Sequence, residues 1–345
     1  MKRVSKWFLI VVSIILIESC TNPEQVRKVK ISGEREQILQ NEVAELDVTI
    51  FDTLIFIHKY SAESFFSVYS KKDNRFLKDW LKNGNGPEEF SAPKLFKQIN
   101  TNNLFVYDVF KGGVFKVNNF SNSFLEIDYL YELDPAFGLT QDMVLQNDSL
   151  IIGNLGYLSP KPFLIKGFDI KNKKELFSVP ILDLNEYVSE SVADFYTTFY
   201  NFFRLKPDGS KSVIAFNYFD RLLIFGEDYS KAKKVDGELG VKKVKMSGGK
   251  PLDLVNYYFD LEVTNDYIFA LYYDQPESEY GELMKPSQIK IFDWDGVLVQ
   301  VIETPDYLMG ISYDQEDQIL YGVDHFQEKI LQYDISNILE LNENQ

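Results

Sequence analysis

The segment Leu95-Phe-Lys-Gln-Ile-Asn-Thr-Asn-Asn-Leu-Phe-Val-Tyr-Asp108 consists of an apolar strand, a polar turn and a second apolar strand that ends in an acidic residue. Its turn is rich in Asn, which tolerates the positive φ values that tight hairpin turns require. The same plan returns in Met143–Asn154, Phe203–Asn217, Leu261–Asp274 and Ile311–Asp324, with a less regular copy in Val48–His58. The pattern predicts a chain built from repeated β-hairpins.

The hairpins recur at a long and nearly constant interval. Their second strands begin near residues 54, 104, 150, 213, 267 and 319, and a further apolar strand follows each hairpin. A β-sandwich has turns every 8–12 residues or so without this longer period, whereas blades arranged around an axis repeat every ~40–50 residues. We therefore predict an all-β fold, a six-bladed β-propeller of four-stranded antiparallel blades over residues 47–345.

The sixth repeat lacks an obvious fourth strand. Only Ile338-Leu-Glu-Leu341 follows its third strand. We expect the N-terminal segment, within residues 26–33, to supply the outer strand of this last blade. Such closure joins the two ends of the propeller and removes an open sheet edge.

The N-terminus has the character of a secretory signal. Lys2, Arg3 and Lys6 are positively charged, and Trp7–Ile17 is apolar. A helix of these eleven residues would span only about 16 Å of a hydrocarbon core roughly 30 Å thick. The segment is therefore interpreted as a signal peptide and not as a transmembrane helix.

The single Cys of the chain, Cys20, directly follows this signal and is preceded by Ser19. The arrangement resembles the lipobox of bacterial lipoproteins, which implies that residues 1–19 are removed and that Cys20 carries the lipid anchor. Residues 20–46 would then be the lipidated Cys and a polar tether that includes the closing strand. Thr21 stands where an Asp is associated with inner-membrane retention, so the outer membrane is favoured. The alternative is an ordinary signal peptide in which Cys20 has no such role.

The charge of the chain excludes one class of partner. The sequence has 36 Lys+Arg against 52 Asp+Glu, a net charge of −16. Removal of residues 1–19 takes away three positive charges and one negative charge, so the mature chain would carry −18. A nucleic-acid binder needs an excess of Lys and Arg to displace counterions, and we expect none here. One Cys also excludes a disulfide framework, and we expect a monomer.

The segment Gly84-Asn-Gly-Pro-Glu-Glu-Phe90 follows the first repeat. It resembles the Gly-x-Gly-Pro-Gly-Glu-Phe signature of the TolB-like six-bladed β-propeller lipoproteins of Gram-negative bacteria, with Glu88 in place of the third Gly. The resemblance implies the propeller fold and a location in the cell envelope. It carries over no catalytic residues.

Polar residues end the second strand of every repeat, and we expect them to ring the axial mouth of the propeller. They are His58, Asp108, Asn154, Asn217, Asp274 and Asp324, with His325 adjacent to the last. Such a ring could contact a ligand or a divalent cation. The alternative is that Asp and Asn stand there because they start turns.

An insertion before the fourth hairpin adds aromatic residues. Tyr196 within it and Tyr218 after the hairpin could stack on sugar rings or bury against a protein partner. Alternatively, they fill the space between blades. Arg221 is the best candidate to anchor an acidic ligand, because most of the nearby charge is negative.

The sequence contains no recognisable catalytic motif, neither Gly-x-Ser-x-Gly nor His-Glu-x-x-His. We therefore predict a lipid-anchored binding or scaffold module of the cell envelope for a protein or glycan ligand, without catalysis. No cofactor is predicted apart from a divalent cation in the axial channel. The alternative is a metal-assisted enzyme of the lactonase or lyase type, which would need at least three carboxylate, Asn or His ligands in the channel.

Overall fold

The computed structural model describes residues 27–31, 34–38, 45–59, 63–99, 101–121, 124–133, 139–140, 142–154, 156–157, 163–181, 183–238, 240–279, 285–324 and 326–339. Its strands form six antiparallel blades around a central axis. Two strands, β1 (Arg27–Lys30) and β2 (Glu34–Ile38), precede the first blade.

The blades follow one another along the chain. Blade one comprises β3 (Glu45–Phe51), β4 (Leu54–Lys59), β5 (Ser64–Ser70) and β6 (Phe76–Lys82). Blade two comprises β7 (Pro93–Lys97), β8 (Leu104–Asp108), β9 (Gly113–Ser121) and β10 (Phe124–Glu132). After β11 (Leu139–Thr140), blade three comprises β12 (Met143–Asn147), β13 (Leu150–Asn154), β15 (Phe163–Asp169) and β16 (Lys174–Pro180), with β14 (Gly156–Tyr157) paired to β11.

The helix α1 (Phe195–Thr198) leads into blade four, which comprises β17 (Asn201–Leu205), β18 (Lys211–Phe216), β19 (Arg221–Gly226) and β20 (Ala232–Asp236). A small hairpin of β21 (Lys245–Ser247) and β22 (Lys250–Leu252) follows. Blade five comprises β23 (Val255–Val263), β24 (Tyr267–Pro276), β25 (Gln288–Asp293) and β26 (Leu298–Glu303). Blade six contains β27 (Leu308–Asp314), β28 (Ile319–Asp324) and β29 (Lys329–Asp334), and α2 (Ser336–Leu339) follows.

The predicted repeat is confirmed. The second strands begin at residues 54, 104, 150, 211, 267 and 319. Within a blade, each strand pairs with the next along the chain. The second strands are almost wholly buried, as in Leu54–Lys59 and Leu104–Asp108. Both of their faces pack against neighbouring blades, which is why they are continuous apolar runs instead of alternating ones.

The core is divided among the interfaces between blades. Six clusters of buried apolar side chains lie between neighbouring blades. Tyr69 of blade one and Tyr321 of blade six belong to the cluster where the ring closes. Across the same interface, the Ile50 N–H donates to Ser312 Oγ at 3.1 Å.

The N-terminal segment closes the propeller, as predicted. Strand β2 pairs antiparallel with β29 and supplies the outer strand of blade six. The closing strand is therefore Glu34–Ile38 and lies after the expected window of residues 26–33. Within that window, β1 pairs in parallel with β26 and adds a fifth strand to blade five. The reason is apolar packing, because Val29 and Ile31 lie against the cluster between blades five and six.

The segment Gly84–Phe90 connects blade one to blade two. Gly84 has φ +154°, and a Cβ there would lie 2.1 Å from the Glu89 carboxylate. Glu89 Oε2 accepts the Gly86 N–H at 2.9 Å, and Lys111 Nζ donates to the carbonyl oxygens of Gly84 and Gly86, each at 3.3 Å. The polar groups of this signature therefore bind one another and fix the crossover between the blades.

Helices contribute little to the part of the chain given above. None of the helices in those ranges is long and apolar enough to cross a membrane. The predicted signal peptide and Cys20 lie outside the described residues.

Candidate functional site

A cavity of about 960 Å³ lies on the propeller axis. The innermost strand of every blade lines it, through residues that include Thr49, Leu95, Val144, Arg204, Asp260 and Ser312. At one end the lining reaches the exposed residues Phe110 and Glu277. We call this end, where the second strands finish and the crossovers between blades lie, the channel mouth.

Two aromatic side chains from the insertion in front of blade four, Tyr196 and Tyr200, line the cavity at its mouth together with Phe202 of β17. Tyr196 and Tyr200 meet edge to face with ring centres 5.8 Å apart, and Tyr200 and Phe202 do so at 5.5 Å. The insertion is ordered locally because Asp194 caps α1 by accepting the Thr197 N–H at 3.0 Å. The three half-buried rings, here named the aromatic row, offer a rigid apolar wall to a ligand.

Tyr218 lines the same cavity from the loop after β18. Its hydroxyl donates to Glu277 Oε1 of blade five at 3.2 Å. Burial, followed by the charge of Glu277, raises the pKa of Tyr218 above its usual range, so the hydroxyl remains a donor. Asn217 holds the neighbouring backbone, because its N–H donates to the Tyr200 carbonyl at 2.9 Å and its Nδ2 to the Tyr258 carbonyl at 2.7 Å.

Deeper in the channel, Arg204 joins three blades. Its Nη2 lies 2.9 Å from Asp260 Oδ1 and its Nη1 3.5 Å from Asp142 Oδ2. Asp260 Oδ2 also accepts the Ile311 N–H at 2.9 Å. Burial and then repulsion by Asp47 raise the pKa of Asp260 well above its usual range, while Arg204 opposes both. The guanidinium is therefore the charge that keeps this acidic cluster compatible with burial.

Asp47 and His58 form the blade-one side of the same region, opposite each other on β3 and β4. Burial raises the pKa of Asp47 to about 6, against the attraction of Arg204 and Lys94. Burial, helped by the positive charge of Lys94, lowers the pKa of His58 to about 3. The imidazole is therefore neutral at pH 7, and its ring stacks on Phe66 at 4.9 Å. The channel can both donate hydrogen bonds to a ligand and accept them from it.

Three residues of the predicted ring are fully buried and serve the fold. Asp108 accepts the Ser91 N–H at 2.7 Å, and Asn154 Oδ1 accepts the Asp142 N–H at 2.7 Å. Asp324 accepts two backbone N–H groups, at 2.9 and 3.1 Å. All three have no exposed surface. The interpretation that Asp starts a turn accounts for Asp108 and Asp324, which accept N–H groups of the loops after them. Asn154 instead binds Asn201 and Asp142, and none of the three lines the cavity.

The structure describes only one of the two remaining ring positions, Asp274. Asp274 is exposed, has φ +53° and lies outside the cavity lining. His325 lies outside the described residues.

Arg221 forms ion pairs with one residue of blade four and one residue of the segment before that blade. Its Nε lies 2.6 Å from Asp236 Oδ1 and its Nη1 2.7 Å from Glu186 Oε2. The guanidinium also lies 5.2 Å from the ring centre of Tyr187. Two carboxylates and an aromatic ring therefore bind this buried side chain. The arginine that lines the channel is Arg204.

Of the predicted residues, the structure brings His58, Asn217, Tyr196 and Tyr218 together in the cavity lining. Sequence reasoning did not find Arg204, Lys94 or Asp260. Their signal was a charged residue inside the apolar alternation of a first strand, as in Phe203-Arg204-Leu205. Within the part of the chain that the structure describes, no group of three or more His, Cys, Asp or Glu side chains is arranged to hold a metal ion.

Comparison with known proteins places these features in context. A family model described as TolB-like 6-blade propeller-like matches residues 44–316. No curated protein matches the sequence. A member of the DUF4221 family from Bacteroides vulgatus, 12% identical, has a similar structure with a TM-score of 0.58 over 87% of this chain and 96% of its own. At that identity the likeness concerns the fold alone.

Two further structures align with lower scores. A protein from Bacteroides fragilis described as exported is 14% identical, with a TM-score of 0.47 over 86% of this chain and 88% of its own. The hydrazine synthase of Kuenenia stuttgartiensis is 11% identical, with a TM-score of 0.49 over 89% of this chain and 81% of its own.

Proposed function

This chain belongs to the TolB-like six-bladed β-propeller family, and from that premise we propose that it is a lipid-anchored cell-envelope protein that binds a glycan at the channel mouth. The observation that carries the proposal is the aromatic row of Tyr196, Tyr200 and Phe202 beside acidic and amide side chains in one cavity. No catalytic step is assigned to the cavity.

Glycan chemistry fits this mixture of surfaces. The apolar faces of sugar rings stack on aromatic side chains, and sugar hydroxyls bind carboxylates and amides. Glu277 and Asn256 line the same cavity. A cavity of about 960 Å³ accommodates the end of a short oligosaccharide.

The envelope location rests on the N-terminal sequence. Lys2, Arg3 and Lys6, the apolar segment and Cys20 support export followed by lipidation. Thr21 favours the outer membrane. Metabolic labelling with a palmitate analogue should mark the wild-type protein, and Cys20→Ser should abolish the label and release the protein from membranes.

Binding is tested with the mature chain on a glycan array, followed by titration of the best oligosaccharide. Tyr200→Ala should weaken binding at least tenfold, because it removes the central ring of the row. Tyr200→Phe should stay within about twofold of wild type, because stacking needs only the ring. Tyr129→Ala is the matched control, since Tyr129 is 60% exposed but lies on the outer strand of blade two.

Two outcomes would contradict glycan binding at the mouth. One is an array without any hit when envelope peptides bind to the same protein. The other is equal weakening by Tyr200→Ala and Tyr129→Ala, which would mean that the row has no special part in binding.

A further inference from the structure

Given the proposed function, on which this step rests, we propose that the glycan at the channel mouth carries a free amino group and that its ammonium binds between the aromatic row and the carboxylate of Glu277. The ligand is then an amino sugar in its cationic form. N-acetylated, neutral and acidic sugars would bind more weakly at the same place.

The rings of the aromatic row do not form one flat platform. The ring plane of Tyr200 lies at 86° to that of Tyr196 and at 86° to that of Phe202, with ring centres 5.8 and 5.5 Å apart. A sugar ring stacks on a single flat face, whereas rings set at right angles can surround a compact group from more than one side. An ammonium within about 6 Å of a ring centre is attracted by the π electrons of the ring face. The row therefore suits a compact cation as well as an apolar sugar face.

The backbone brings a carboxylate to the same mouth. The Asn217 N–H donates to the Tyr200 carbonyl at 2.9 Å, so Tyr218 directly follows the residue that pairs with the middle of the row. The Tyr218 hydroxyl donates to Glu277 Oε1 at 3.2 Å. Glu277 is exposed, and no Lys or Arg among the described residues forms an ion pair with it. A ligand ammonium would supply that countercharge, in a hydrogen bond strengthened by both charges.

The charges that line the cavity also favour a cation. Among the described residues of the lining, five are acidic and three are basic. They are Asp47, Asp142, Asp260, Glu262 and Glu277, and Lys94, Lys97 and Arg204. Protonation of Asp260, whose pKa is raised chiefly by burial, still leaves four acidic side chains against three basic ones. A cleft with an excess of negative charge raises the local concentration of cationic ligands.

An acidic sugar is less well matched to the row. Arg204 already lies 2.9 Å from Asp260 and 3.5 Å from Asp142. The two lysines of the lining, Lys94 and Lys97, belong to β7 of blade two, whereas the row and Glu277 belong to blade four, the insertion before it and blade five. The charge nearest to the row along the backbone connections described above is therefore negative.

The ligand class is tested with the mature chain at pH 6, where amines are protonated. The array contains glucosamine and galactosamine oligosaccharides, their N-acetylated forms, and neutral and uronic acid oligosaccharides. We expect the strongest binder to carry free amines, and N-acetylation of that binder to weaken its binding at least tenfold. A strongest binder that is N-acetylated, neutral or acidic would overturn the amino group as the recognised feature.

A pair of substitutions tests the part of Glu277. Glu277→Gln keeps an oxygen that can accept the Tyr218 hydroxyl and removes the charge, so it should weaken binding of the free-amino ligand at least fivefold. Binding of the N-acetylated form should stay within about twofold. Glu279→Gln is the matched control, since it removes the same charge two residues along the chain and lies outside the cavity lining. Unchanged binding in Glu277→Gln, or equal weakening of both ligands, would overturn the ion pair.

Failure of the amino group is distinguishable from failure of glycan binding. An array without any bound oligosaccharide contradicts the proposed function and, with it, the amino sugar. Binding of a lysine-rich peptide in that case would mean that the row takes the ammonium of a protein. A neutral or acidic glycan as the strongest binder contradicts only the amino group.

Discussion

Replacing Arg204 by Met should destabilise the protein strongly, because it leaves buried carboxylates without their cation. Arg204 lies 2.9 Å from Asp260 and 3.5 Å from Asp142, and Asp260 is buried. Removing one partner of a buried ion pair costs about 3–5 kcal/mol. The Arg204 side chain is 26% exposed, so we expect the lower end, a loss of about 3 kcal/mol in the free energy of unfolding at pH 7.5.

The loss should depend on pH in a defined direction. Without the guanidinium, the pKa values of Asp47 and Asp260 rise above the already raised values of the wild type. The folded variant then holds protons that the unfolded chain has released, so its stability falls as the pH rises above the unfolded carboxyl pKa near 3.9. The difference between wild type and Arg204→Met should therefore be small at pH 4.5 and largest at pH 7.5, as measured by urea unfolding followed by intrinsic fluorescence.

A second substitution separates the electrostatic cause from a packing defect. Asp47→Asn removes the charge that repels Asp260 and keeps an oxygen for the Val48 N–H, which Asp47 Oδ1 accepts at 2.7 Å. In the Arg204→Met background it should restore at least about 1 kcal/mol at pH 7.5. Arg75→Met is the control, since its contact with Asp73 is exposed and 3.4 Å long, and such pairs contribute less than about 1 kcal/mol. A loss that is independent of pH, or one that Asp47→Asn does not reduce, would refute the electrostatic account.

Three further predictions test the closure, a buried amide and a buried imidazole. Deleting residues 21–40 removes β1 and β2, so two blades lose outer strands, and calorimetry should show a melting temperature lower by roughly 10 °C; an unchanged value would contradict closure. Asn154→Ala should cost about 2 kcal/mol in urea unfolding, because its amide binds Asn201 and Asp142 in a buried site, and glycan affinity should not change. His58 has a folded pKa of about 3, below its unfolded value near 6.5, so its contribution to stability falls as the pH drops through 6.5. His58→Gln should therefore gain about 1–2 kcal/mol relative to wild type between pH 7 and pH 4.5, and no relative gain would show that the imidazole is not buried in neutral form.

The fold was predictable because each blade of the propeller imposes a recognisable pattern on a short stretch of consecutive residues. A second strand buried on both faces must be apolar over most of its length, as in residues 54–57, and a tight turn before it must use residues that accept unusual backbone angles. These are properties of a dozen consecutive residues, and their period then gives the number of blades. The exact closing strand was less predictable, since Val29 and Ile31 and the next segment, Glu34–Ile38, are both suited to a sheet edge. Only the packing between blades five and six places β1 at the edge of blade five and β2 at the edge of blade six.

The candidate site was only partly predictable because its contacts are distant in sequence. Asp260 lies 56 residues beyond Arg204 and binds it from the neighbouring blade. No local pattern distinguishes an Arg that meets a carboxylate in the channel, such as Arg204, from one that meets carboxylates within a blade, such as Arg221. Tyr196 was recognised because an insertion rich in Tyr and Phe departs from the repeat itself, and Tyr218 because it lies in the loop that follows the same hairpin.

The contrast between two kinds of polar position gives a rule for channels of this type. Asp108, Asn154 and Asp324 end second strands, and their side chains accept N–H groups of the segments that precede the first strand of the same blade. Asp47, Arg204 and Asp260 lie on first strands, whose side chains alternate between the blade interfaces and the axis. A charged residue that interrupts the apolar alternation of a first strand has no turn to serve, so the axis is where its charge can meet water, a counter-ion or a ligand. Charges on first strands are therefore a better guide to what a propeller channel binds than the more numerous polar residues at the ends of second strands.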